Sequence, residues 1–145
     1  MTRTDELRLE LAQVRFVSTA IEPIAAFYAA LLGVSVPLNE HYLEVPAGPA
    51  SIGFSKVGFT EDRGPHVVCP TGPAPQGGET ILDFTADNVD AEYPRIDTLG
   101  ASWVMRPTTQ PWGRRSILFR DPNGHLINVS SAAATGFNRS APAHR

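Results

Sequence analysis

Phe27-Tyr28-Ala29-Ala30-Leu31-Leu32-Gly33-Val34 closes one helical stretch of this chain, and Tyr93-Pro94-Arg95-Ile96-Asp97-Thr98-Leu99-Gly100-Ala101 closes another. Gly33 and Gly100, each preceded by leucine, stand 67 residues apart. Each stretch follows a strand-like run, Leu11 to Val17 and Thr80 to Ala86, and each leads into further short strands. A repeat of that length predicts two similar supersecondary units packed as one body, with the working surface between them.

Working outward, the first unit alternates from Leu11 in the period of a strand and then adopts helical spacing at Ile24, Phe27, Tyr28 and Leu31. Pro23 suits a first helical turn, and Gly33 supplies the left-handed residue that stops the helix. Three short strands are expected next, over Val34 to Leu38, His41 to Val45 and Ser51 to Val57, with Pro46-Ala47-Gly48-Pro49 as the last turn. Gly58 to Gly78 is rich in proline and glycine and reads as a linker. In the second unit Asp87 or Asn88 is placed to cap the helix, and Pro94 predicts a kink or a late start. Strands at Ser102 to Arg106, Arg114 to Phe119 and His125 to Ser130 complete it, the last pair joined by the turn Asp121-Pro122-Asn123-Gly124. The expected fold class is α+β: two βαβββ modules, at about 10–57 and 79–131 with linker 58–78, forming one domain with a curved eight-stranded pocket.

Composition narrows the function. With 145 residues, 42% of them hydrophobic and 19% charged, the chain has the make-up of a globular protein rather than a disordered one. A net charge of −3 and the lack of any basic stripe argue against nucleic acid as a partner. No apolar run has the length of a membrane span, and the charged N-terminal residues lack a signal-peptide core. The single cysteine, Cys69, excludes an internal disulfide and fits a cytoplasmic location.

The strand, the Phe-Tyr and Leu-Gly of the first helix, Asp87-Asn88-Val89-Asp90 opening the second, and above all the run from Trp112 to Asn128 carry a resemblance. Over residues 11 to 131 the chain resembles the vicinal oxygen chelate superfamily, which includes glyoxalase I, extradiol dioxygenases, fosfomycin-resistance transferases and bleomycin-resistance proteins. Enzymes of that superfamily hold a divalent metal with one ligand on each of four pocket strands, usually His, Glu, His and Glu. By motif distance those positions fall at Gln13, Gly53 (with Ser51 or Ser55 as register alternatives), Ile81 (or Thr80) and Asn128. Glycine and isoleucine offer no side-chain ligand, and an amide pair lacks the charge and number of donors that a catalytic cation requires. The resemblance therefore implies a member without the metal site, and neither metal nor cofactor is expected. His41, His66, His125 and His144 read as surface or hydrogen-bonded residues.

The strand period leaves Gln13, Arg15, Asp83, Thr85, Asn128 and Ser130 facing the pocket. Trp112 belongs to the loop at its mouth, while Trp103 and Phe54 belong to the core. Arg15 and Asp83 occupy equivalent strands, so they are candidates for a neutralising ion pair or for a base and its tuning cation. The expected ligand-binding set is Gln13, Arg15, Asp83, Trp112 and Asn128. Its expected partner is a small aromatic molecule, held by a homodimer in the manner of the bleomycin-resistance proteins, which sequester an antibiotic without chemistry. The alternative is an isomerase or lyase of glyoxalase or dioxygenase type, with an atypical metal or none, using Asp83 as its catalytic residue.

Overall fold

The computed structural model describes residues 7–57 and 78–133. The chain divides into two compact units, Met1–Ala74 and Pro75–Arg145. In the first, β1 (Gln13–Ser18) leads into α1 (Ile21–Leu32), followed by β2 (Tyr42–Ala47) and β3 (Ala50–Lys56). The sheet order is β1-β3-β2, with β1 parallel and β2 antiparallel to the central β3. Gly33 ends α1 at φ 77°, its N–H reaching the carbonyls of Ala29 and Ala30. Ile21, Ile24, Tyr28 and Leu31 of α1 are buried, as are Leu43, Val45, Ile52 and Phe54 of the sheet. Tyr28 centres an aromatic cluster, 5.6 Å from both Phe27 and Phe54 and 6.0 Å from Phe16 between ring centroids. Phe54 thus packs in the core, as its sequence position predicts.

The second unit contains β4 (Ile81–Thr85), α2 (Val89–Asp97), β5 (Ser102–Thr109), β6 (Arg114–Arg120) and β7 (Leu126–Ala132). Its sheet order is β4-β7-β6-β5, with β4 and β7 parallel. Asn88 caps α2, its Oδ1 accepting from the N–H of Ala91 at 3.3 Å. Ser131 Oγ accepts from the Val89 N–H at 3.0 Å and ties the start of the helix to β7. Pro94 lies inside α2 without delaying its start; lacking an N–H, it leaves the Asp90 carbonyl without its helical donor. Val89 and Ile96 face a core of Ile117, Phe119, Ile127 and Val129. Trp103 packs between Tyr93 and Phe119, at 4.8 and 5.3 Å, and its indole N–H donates to Asp97.

Both units show the mixed α+β order expected, with seven strands among the described residues instead of eight. The difference lies at Val34 to Leu38, which joins no ladder. Two donors that a ladder would need are missing: the Val34 N–H is taken by Ala29 O at 2.9 Å, and Pro37 has none. Residues 58–77 of the expected linker 58–78, with His66 and Cys69, and the segment carrying His144 lie outside the described residues. Among the described residues no helix is long and apolar enough to cross a membrane.

Candidate functional site

Each sheet turns one face to its helix and one away, and the expected site residues sort as the strand period requires. In the first unit Val14 and Phe16 face α1, so Gln13, Arg15 and Val17 face away. The register places Gln13 beside Ser51 and Arg15 beside Gly53, and Gly53 in turn beside Glu44. These residues form a small polar network. Tyr42 Oη donates to Glu44 Oε2 at 2.7 Å and accepts from Gln13 Nε2 at 3.0 Å, while Gln13 Nε2 also donates to Ser51 Oγ at 3.2 Å.

A carboxylate only accepts, so the phenol proton goes to Glu44 and the phenol oxygen must receive from an amide N–H. That requirement fixes the amide of Gln13 with Oε1 as its remaining acceptor. Burial and the bond to Glu44 push the Tyr42 hydroxyl above the ordinary phenol range. Arg15 places its guanidinium 5.9 Å from the Tyr42 ring centroid, within reach of a cation–π interaction. Ser55 Oγ, fully buried in β3, has no hydrogen-bond partner among the described residues, a cost of about 1–3 kcal/mol.

In the second unit Leu82 and Phe84 turn to the helix side, and Asp83 and Thr85 away. Asp83 and Asn128 are register neighbours, and Asn128 Nδ2 donates to Asp83 Oδ1 at 2.8 Å. The same logic fixes this second amide, with Asn128 Oδ1 left as acceptor. Trp112 occupies the hairpin between β5 and β6 and is 54% exposed; Gly113 N–H to Gln110 O at 3.0 Å closes the turn beneath it. The structure therefore joins Asp83 to Asn128 and Gln13 to Tyr42, and places Trp112 on a loop of the second unit.

The residues at the superfamily's metal positions do not fit a hard divalent cation. The Gln13 amide fills the space over Gly53, where a Cβ would lie 2.8 Å from its Cδ and Oε1. Both amide nitrogens are committed to neighbours, Ile81 is aliphatic, and the amide oxygens carry no net charge. Among the described residues no three His, Cys, Asp or Glu cluster together. His125 instead supports a turn: its Nδ1 and backbone N–H both lie 3.0 Å from the buried Asp121 carboxylate, which also accepts from the Asn123 N–H at 2.8 Å.

Sequence reasoning did not single out the Tyr42–Glu44 pair as the anchor of Gln13, nor Arg114. Arg114 donates to Ser130 Oγ at 3.0 Å on the face turned away from α2. Its signal was the alternation itself, since Arg115 beside it turns to the helix side and pairs with Asp90.

The family profile described as "Glyoxalase/Bleomycin resistance protein/Dioxygenase superfamily" matches residues 10–129, and the chain belongs to that superfamily. Among solved structures the fold is similar to that of a glyoxalase/bleomycin resistance protein/dioxygenase family enzyme from Burkholderia phytofirmans PsJN. That likeness has 18% identity over 86% of this chain and 100% of the other, with a TM-score of 0.67. TioX from Micromonospora sp. ML1 is similar at 18% identity over 86% and 100%, with a TM-score of 0.62. Lactoylglutathione lyase from Agrobacterium tumefaciens is similar at 18% identity over 88% and 97%, with a TM-score of 0.62. No curated protein matches the chain.

Proposed function

We propose that this protein binds a planar aromatic small molecule and sequesters it unchanged, as a resistance protein does. The observation that carries the reading is Trp112, a large rigid ring more than half exposed on a short hairpin. Each unit also carries polar groups of known orientation: Gln13 on the first and Asn128 on the second present amide oxygens, so a ligand bound at either supplies N–H or O–H donors, and Arg15 on the first and Asp83 on the second each add a charge. The donor set that does not suit a hard cation supports binding over metal-dependent chemistry.

The test is a screen of bleomycin-like and polycyclic natural products by quenching of tryptophan fluorescence, with Trp112→Phe identifying the responding ring. The ligand is then recovered and its mass measured. An unchanged mass supports sequestration. A changed one favours the second reading, an isomerase or lyase in which the exposed Asp83 carboxylate is the base, and Asp83→Asn then abolishes turnover. Elemental analysis belongs to the same test, since a stoichiometric metal lost on Asn128→Ala overturns the metal-free reading. A cytoplasmic homodimer is part of the proposal, checked by sedimentation at micromolar concentration.

A further inference from the structure

The arginines of the second unit differ in what they meet. Arg95 pairs with Glu92, Arg115 with Asp90, and Arg120 with Glu79. Arg106 is exposed and donates to Tyr93 Oη at 2.7 Å. Arg114 is half-buried, donates to Ser130 Oγ, and meets no carboxylate among the described residues. Withdrawing a guanidinium from water without a counter-charge is unfavourable, which is why such groups are ordinarily paired.

The surroundings of Arg114 are those of an anion site. Thr85, Ser130, Ser116 and Thr108 are successive register neighbours across all four strands, and they make a row of hydroxyls on the face turned away from α2. Arg114 lies one pleat along from Ser116 on the same strand and face. Asp83, also on this face, lies one pleat below the row, with its carboxylate bound by Asn128. Trp112 precedes Arg114 by two residues.

We propose that Arg114 and the hydroxyl row bind an oxyanion carried by the ligand, so that the molecule held at Trp112 is an aromatic acid. The inference rests on the aromatic-binding reading for the ring, but not for the anion. A guanidinium offers paired donors that match a carboxylate or sulfonate edge, and Ser130, which accepts from Arg114, keeps its own hydroxyl proton to donate, whereas the Thr108 hydroxyl is committed to the Arg106 carbonyl at 2.7 Å.

The test titrates the protein with 2-naphthoate, with neutral 2-naphthamide and with inorganic sulfate. Calorimetry gives affinity, and the Arg114 Nε resonance, assigned with Arg114→Lys, gives location. The expected result is that naphthoate binds about tenfold more tightly than naphthamide, that sulfate competes, and that Arg114→Gln removes the difference. Equal binding of acid and amide, or a preference that survives Arg114→Gln, overturns the oxyanion site and leaves the aromatic reading standing. Sulfate moving the Arg114 resonance while neither naphthalene binds upholds the oxyanion site and overturns the aromatic reading. If none of the three binds, both fall. Should Arg114→Gln fail to fold, Ser130→Ala replaces it; a preference reduced several-fold supports the site, and an unchanged one overturns it.

Discussion

The side-chain amide of Gln13 occupies the space in which a side chain at Gly53 would begin, with Cδ and Oε1 each 2.8 Å from the position of a Cβ. The two residues sit on adjacent parallel strands, and the amide is held over the glycine by Tyr42 and Ser51. Two positions that could each supply a metal ligand are thus reduced to one neutral side chain folded over the other's backbone.

Gly53→Ala forces that amide aside. The displaced end belongs to a flexible chain, so the main loss is its two hydrogen bonds, together about 1–2 kcal/mol. The Gln13 bond acts to lower the Tyr42 value, so the variant also pushes the phenol further up. Urea unfolding and absorbance titration measure the two effects; no change in either would show that the amide does not need this space.

Tyr42 links stability to alkaline pH. Its folded-state value is raised by burial first and by the bond to Glu44 second, so the native protein holds the phenol proton more tightly than the unfolded chain. The resulting stabilisation is complete below about pH 10 and is lost as pH rises through the raised value. The stability difference between wild type and Tyr42→Phe should therefore shrink above about pH 10. Glu44→Gln, which removes the charge and leaves only a neutral amide oxygen to accept the phenol proton, should lower the Tyr42 midpoint; a midpoint that stays put contradicts the network.

Trp112→Ala should weaken binding of an aromatic ligand by roughly tenfold or more, because ring stacking adds about 1 kcal/mol to buried area. Stability should stay within about 0.5 kcal/mol of wild type, as for an exposed position remote from the core. Parallel loss of affinity and unfolding midpoint would mean that the ring is structural.

Asp121→Ala should destabilise the second unit by about 2–4 kcal/mol, since the carboxylate is buried and its removal strands the Asn123 and His125 N–H groups. Denaturant unfolding of the full chain is the measurement, and a loss below about 0.5 kcal/mol would mean that water replaces the acceptor.

What sequence reading recovers here is whatever a short stretch decides for itself. The stop at Gly33, the cap at one of the two candidates Asp87 and Asn88, the helix-side placement of the half-buried Trp103 and the two faces of β4 and β7 follow from local period and turn chemistry. Val34 to Leu38 misleads because Val34, Val36 and Leu38 recur with the period of a strand, whereas pairing depends on donors that Val34 and Pro37 do not have available. The Tyr42–Glu44 anchor and the lack of a carboxylate at Arg114 among the described residues are invisible for a different reason. Tyr42 and Glu44 share one face of one strand, but their reach to Gln13 needs β1 and β2 to flank β3, and what Arg114 meets depends on the residues set beside it across the ladder; one sequence states neither its strand order nor its register.

Among the described residues, the strand that holds the sheet together is in each unit the last to be made. β3 lies between β1 and β2, and β7 lies between β4 and β6. On the ribosome, β4 must therefore wait for β7 before it has any neighbour in its sheet. From Ile81 to Ala132 that wait is on the order of 3–10 s, at about 5–20 residues per second. Until then the apolar sides of Leu82 and Phe84 have no sheet to join, and a nascent chain arrested before Leu126 exposes an unpaired edge to chaperones and to other chains.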